Sequence, residues 1–143
     1  MNRSVTYSVV QRKNPKEPDS PAKFYAQAQA RGEMGVREIA ERLQRECTLT
    51  RSDIVAVLTA LEDVVCEGLQ GGEIVRLGEL GSIQVGLSGK GADKKEEYTD
   101  GLIHRKRILF RPGMTLRNML STLSFERVEV KAKKKGEEEE SDD

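Results

Sequence analysis

Between residues 88 and 111 the chain carries seven basic side chains, Lys90, Lys94, Lys95, Arg105, Lys106, Arg107 and Arg111, against four acidic ones. The chemistry open to such a set is ionic. Lys and Arg contact phosphates and release condensed counterions, which is how a protein gains affinity for a polyanion. His104 stands inside the set without a second His or a Cys at ligand spacing, so no metal site is expected. Motifs for nucleophilic or phosphate-transfer chemistry are missing: there is no GxSxG, no Walker loop, no HExxH and no CxxC. Gly86, Gly89 and Gly91 follow an apolar run, but no helix opens after them, so a dinucleotide fingerprint fails. The expectation is a binding protein and not an enzyme, with no cofactor and no small-molecule substrate.

Composition sharpens this. The 143 residues hold 24 Lys+Arg and 24 Asp+Glu, a net charge of zero. That argues against a uniform cloud of positive charge, but the mean hides a pattern. Residues 36–70 have a balance of −3, and residues 88–111 have +3. Residues 1–23 carry +3, and residues 131–143 carry −2. Asymmetry of this kind points to a polyanion partner, although a charge run is also the ordinary make-up of a solvated face. No apolar stretch is long enough for a membrane helix, and no secretory leader is visible. Two cysteines, Cys47 and Cys66, make no disulfide framework; they read as small buried hydrophobes in a reducing, cytoplasmic setting.

The elements that must position the basic residues follow from periodicity. Residues 4–11 alternate as a strand, and Pro15, Pro18 and Pro21 make residues 12–22 an extended linker. Residues 23–31 alternate as a strand does, although their alanines would equally suit a helix; Gly32 and Gly35 follow closely, leave little room for a helix and favour the strand. Val36, Ile39, Ala40 and Leu43 form one stripe of a helix over 35–46. A second helix starts at Thr50, with Asp53 at capping-box spacing, and stops at Gly71-Gly72. The period then changes to two, giving strands at 73–77, 82–87 and 105–110 around a turn at 78–81 and a polar excursion over 88–104. A short helix over 115–123 and a strand over 125–130, able to pair with the first strand, complete the order. The tail 131–143 is a lysine run and then an acidic run, expected to be disordered. The domain plan is residues 1–23 as strand and linker, 24–130 as the central domain, and 131–143 as tail.

The run Ile74-Val75-Arg76-Leu77-Gly78-Glu79-Leu80-Gly81-Ser82-Ile83-Gln84-Val85 resembles the strand-turn-strand core of the HU and integration host factor family. Ile108-Leu109-Phe110-Arg111-Pro112-Gly113 resembles that family's exit from its third strand into its last helix. The resemblance spans residues about 35–122. The opening YSVVQRKNP, the prolines and KFYA ahead of it resemble the HU-like DNA-binding proteins of the Bacteroidetes type. The resemblance implies an α+β fold: a helix-turn-helix base, a three-stranded antiparallel sheet extended into a β-arm at about 88–104, a short C-terminal helix, and extra terminal strands.

It also implies a function. Members of that family are architectural, histone-like proteins of the bacterial nucleoid that bind double-stranded DNA as homodimers, wrap it through the minor groove and bend it. By resemblance, Arg111 is a phosphate clamp before Pro-Gly, and Gly81 and Ser82 offer backbone N–H groups and a small side chain to a phosphate. Lys90, Lys94, Lys95, His104, Arg105, Lys106 and Arg107 are the arm contacts, and Arg76 on the first sheet strand faces DNA or solvent. One departure concerns bending. No proline lies between residue 22 and Pro112, so the arm lacks the wedge of sharply kinking relatives. Glu96, Glu97 and Asp100 in the arm repel phosphate as well. A second reading keeps the HU-like fold as a protein-interaction scaffold with little DNA binding, supported by the acidic helices and these arm carboxylates.

Overall fold

The computed structural model describes residues 3–130, so the expectation for the tail lies outside the described residues. The described residues divide into two units, one made of residues 3–33 with 123–130 and the other of Met34–Thr122. Residues 24–33 and 123–130 thus group with the first strand.

The central unit opens with helix α1 (Val36–Gln44) and helix α2 (Arg51–Gln70). The α1 stripe places Ala40 fully out of solvent. The start of α2 is fixed as its spacing predicts: the Asp53 N–H donates to Thr50 Oγ1 at 3.2 Å, and the Asp53 carboxylate accepts from the Thr50 N–H at 3.4 Å. Glu41 pairs with Arg51 at 3.1 Å across the turn, an exposed bridge of small energetic weight. Gly72, with φ of 79°, supplies the left-handed stop behind α2.

Three strands follow: β3 (Val75–Arg76), β4 (Gly81–Gly89) and β5 (Ile103–Pro112). They form an antiparallel sheet in the order β3-β4-β5, with a 3-10 turn at Gly78–Leu80 between the first two. Helix α3 (Met114–Leu120) closes the unit. The β3 ladder is shorter than the five residues its pattern suggests. Gly68 has a packing reason that periodicity does not reveal: a Cβ there would meet Val75 Cγ2 at 2.9 Å, so α2 and β3 approach closely only because this side chain is absent.

The terminal unit is a second three-stranded sheet in which β1 (Val5–Arg12) lies between β2 (Lys23–Ala28) and β6 (Phe125–Arg127). β1 pairs antiparallel with β2 and parallel with β6. The expected partnership of residues 125–130 with the first strand is therefore present, with Val5 opposite Phe125. Burial runs against the usual pattern. Thr6 and Ser8 are the buried residues of β1, held by Thr6 Oγ1 donating to the Gln29 carbonyl at 2.6 Å and Gln29 Nε2 donating to Ser8 Oγ at 2.9 Å. Those bonds satisfy polar groups that burial would otherwise penalise. On the other face Val5, Tyr7, Ala28 and Phe125 line an open apolar cleft.

Two expectations are corrected. Residues 12–22 do not form an extended linker: Arg12 ends β1, and the following residues make a hairpin loop with turns closed by the Glu17 N–H to the Asn14 carbonyl at 3.2 Å and the Ser20 N–H to the Glu17 carbonyl at 3.1 Å. Cys47 and Cys66 are both exposed, not buried. Cys47 lies in the turn between α1 and α2, and Cys66 follows Thr59 and Glu62 on the polar flank of α2. Neither position falls on the apolar stripe.

Candidate nucleic-acid interface

Register decides which basic residues stand together. Arg76 is opposite Ser82, and Ser82 is opposite Arg111, so these three make one row across the sheet. Directly opposed residues share a face. The same face continues along the hairpin through Gln84 opposite Leu109, Gly86 opposite Arg107 and Ser88 opposite Arg105. Arg105, Arg107 and Arg111 therefore project on one side, with small or polar partners on β4. Lys106 is on the other side, opposite Leu87, in line with Ile108 and Phe110. The three adjacent cations at 105–107 are thus divided between two faces.

The register shifts between Ser88 and Gly89, so that Gly89 pairs with Ile103 and His104 is the unmatched residue of a bulge. Lys90, Lys94 and Lys95 lie beyond it in the connection 90–102. That connection has structure of its own: 3-10 turns at Lys95–Glu97 and Asp100–Leu102, and a bond from the Lys90 N–H to the Leu102 carbonyl at 3.1 Å. Glu96, Glu97 and Asp100 sit on those same turns.

At the base of the hairpin an open cleft of about 380 Å3 is lined by Arg76, Ser82, Gln84, Arg111 and Gly113, and by one residue the sequence reading missed, Arg117. Arg117 is the one cation of α3, and its signal was its place off the apolar stripe Leu116, Met119, Leu120. Among the described residues none of Arg76, Arg111 and Arg117 is in an ion pair, although Glu79 lines the same cleft.

Glycines set the shape of the cleft. Gly81 has φ of 145°, and a Cβ there would collide with the Arg111 carbonyl and the Phe110 ring. A Cβ on Gly113 would strike the Glu79 carbonyl. The Gly113 N–H meets the Leu80 carbonyl at 2.9 Å, which docks the start of α3 against the 3-10 turn. Among the described residues no His, Cys, Asp or Glu side chains cluster in a way that could hold a metal, and no helix is long and apolar enough to cross a membrane.

A helical pair, a three-stranded antiparallel sheet carrying basic residues on one face, and a closing helix define an HU-like α+β domain. Residues 3–127 match the family model described as an HU domain fused to a winged helix-turn-helix, an Ig or a glycine-rich motif, and the chain belongs to this HU-HIG family. Among solved structures it is similar to a protein of Bacteroides vulgatus ATCC 8482 described as a "Putative bacterial DNA binding protein". The TM-score is 0.62 at 15% identity, over 93% of this chain. This chain spans 52% of the length of that one. No curated protein matches it.

Proposed function

We propose that the protein is an architectural DNA-binding protein that grips the backbone of double-stranded DNA as a homodimer and bends or compacts it, largely without sequence specificity. The observation that carries this reading is the row Arg76–Ser82–Arg111, with Arg107 and Arg105 continuing the same face and Arg117 joining from α3. Guanidinium groups without carboxylate partners on a face with small neighbours suit phosphates that approach the backbone closely. The hairpin β4–β5 and its connection act as the arm, bringing Arg105, Arg107, His104, Lys90, Lys94 and Lys95 along the minor groove. Lys106 flanks it from the opposite face. Gly81 and Ser82 give the phosphate room at the base. A chain of this type works in the nucleoid.

Dimerisation is supported by what the single chain leaves uncovered. Among the described residues only Ala40 and Ile54 are buried hydrophobics. Leu61 and Val64 on α2, and Val85, Ile108 and Phe110 on the apolar face of the sheet, are all exposed. A two-fold partner that covers both faces supplies the missing core.

The test is a titration of binding to linear and nicked duplexes against salt, with native mass measured alongside. Log affinity is expected to fall with log salt by about 0.9 per phosphate contacted. Absence of binding at low salt would favour the scaffold reading, to which Glu79 in the cleft and Glu96, Glu97 and Asp100 on the connection lend support.

A further inference from the structure

The terminal unit carries a charge arrangement that the hairpin fold does not need. Arg12 and Lys23 are directly opposed at the open end of the β1–β2 ladder. Like charges in that relation destabilise a strand pair. Lys13 and Lys16 follow on the connecting loop, so residues 12–23 hold four basic groups against Glu17 and Asp19. Among the described residues neither carboxylate pairs with any of the four.

The loop is held by its own bonds. Asn14 Oδ1 accepts from the Lys16 N–H at 3.0 Å, and the Asn14 carbonyl accepts from the Glu17 N–H at 3.2 Å. The Glu17 carbonyl accepts from the Ser20 N–H at 3.1 Å and from Ser20 Oγ at 2.7 Å. Pro15, Pro18 and Pro21 restrict it further. Ordering costs on binding are correspondingly reduced. Beside the charged pair, an open cleft of about 430 Å3 is lined by Arg12, Lys13, Asn14, Tyr25 and Ala26.

We propose that this hairpin end is a second contact for the phosphate backbone of duplex DNA, with Arg12, Lys13 and Lys23 as the cations and Tyr25 closing one side of the cleft. Opposed Cα atoms about 5 Å apart let two long side chains reach the same or neighbouring phosphates. A polyanion between Arg12 and Lys23 turns their repulsion into two attractions, which gives a reason for a pairing that is unfavourable in the free protein. Local conflicts of this kind are where functional sites are found. The inference rests on the DNA-binding reading above and extends it to a unit outside the HU-like helices and hairpin.

The experiment compares the full chain with the triple variant Arg12→Gln, Lys13→Gln, Lys23→Gln in duplex binding across a salt series, with hydroxyl-radical footprints. All three positions are exposed, so the variant should fold, which circular dichroism checks. The salt slope is expected to flatten by about 2–3, and the footprint to shorten. The charge-keeping variant Arg12→Lys, Lys23→Arg should retain the slope and footprint of the unaltered chain. If the unaltered chain binds and the triple variant matches it in slope and footprint, the hairpin contact is overturned and the DNA-binding reading stands. If the unaltered chain shows no duplex binding at low salt, the DNA-binding reading itself is overturned, and this inference with it.

Discussion

Arg76 and Arg111 sit two strands apart on one row of the sheet, with only Ser82 between them. On the proposed reading, the two guanidiniums flanking this small hydroxyl act on one phosphate, so their contributions should not add. We expect Arg76→Gln and Arg111→Gln each to lower duplex affinity about 5–10-fold at low salt. The double variant should lose less than the product of the two. Independent losses in the double-mutant cycle would show that they contact separate phosphates.

The division of Arg105 and Arg107 from Lys106 gives a second prediction. Replacing both arginines with Gln should flatten the salt slope by about two phosphate contacts. Lys106→Gln, on the Ile108 and Phe110 face, should change it by less than one. Equal effects per residue would mean that the hairpin is gripped from both sides.

Gly81→Ala tests the cleft through stability. With φ of 145° and the Arg111 carbonyl in the way of a Cβ, the substitution should cost on the order of 2–3 kcal/mol in chemical denaturation. Gly91→Ala, where nothing lies within 4 Å, is the matched control and should be nearly neutral.

Oligomeric state is open to a direct check. Phe110 is 51% and Leu61 40% exposed in the single chain, so Phe110→Glu or Leu61→Glu should be harmless to a monomer. In a dimer the new carboxylate is buried without a partner. Sedimentation at micromolar protein is expected to show a dimer for the unaltered chain and a monomer, or loss of folded protein, for either variant.

Bending is the fifth expectation. The connection 90–102 has no proline and carries Glu96, Glu97 and Asp100 on its 3-10 turns. Energy transfer across a nicked duplex should report a shallower bend than a proline-tipped arm produces. A sharp, long-lived kink would contradict this.

Much of this architecture could be read from residue order. The α1 stripe, the Thr50–Asp53 cap and the change of period after Gly72 are local signals, and each element lies within a few residues of where those signals put it. What could not be read depends on register or on distant approach. The pairing of β4 with β5, unbroken from Ser82 opposite Arg111 to Ser88 opposite Arg105, decides which hairpin cations share a face with Ser82, and no local pattern marks that register or the bulge at His104 beyond it. Arg117 reaches the cleft only because Gly113 docks α3 on the 3-10 turn. The exposure of Cys47 and Cys66 follows from their places, one in the α1–α2 turn and one off the α2 stripe, which residue type alone does not show. Thr6 and Ser8 are buried on side-chain bonds to Gln29, a residue 23 and 21 positions away.

The parallel pairing of β6 with β1 bears on how the molecule is made. Ser4 donates to Glu126 across 122 positions, whereas the β1–β2 hairpin closes over a short loop. Closing so long a loop carries an entropy cost that a nearby pair does not. On the ribosome the hairpin can form while Met34–Thr122 is still being synthesised, and its third strand has to wait. Until β6 arrives, the β1 edge beside Val5 and Tyr7 is unpaired. That interval is when the nascent chain is most exposed to joining the wrong strand.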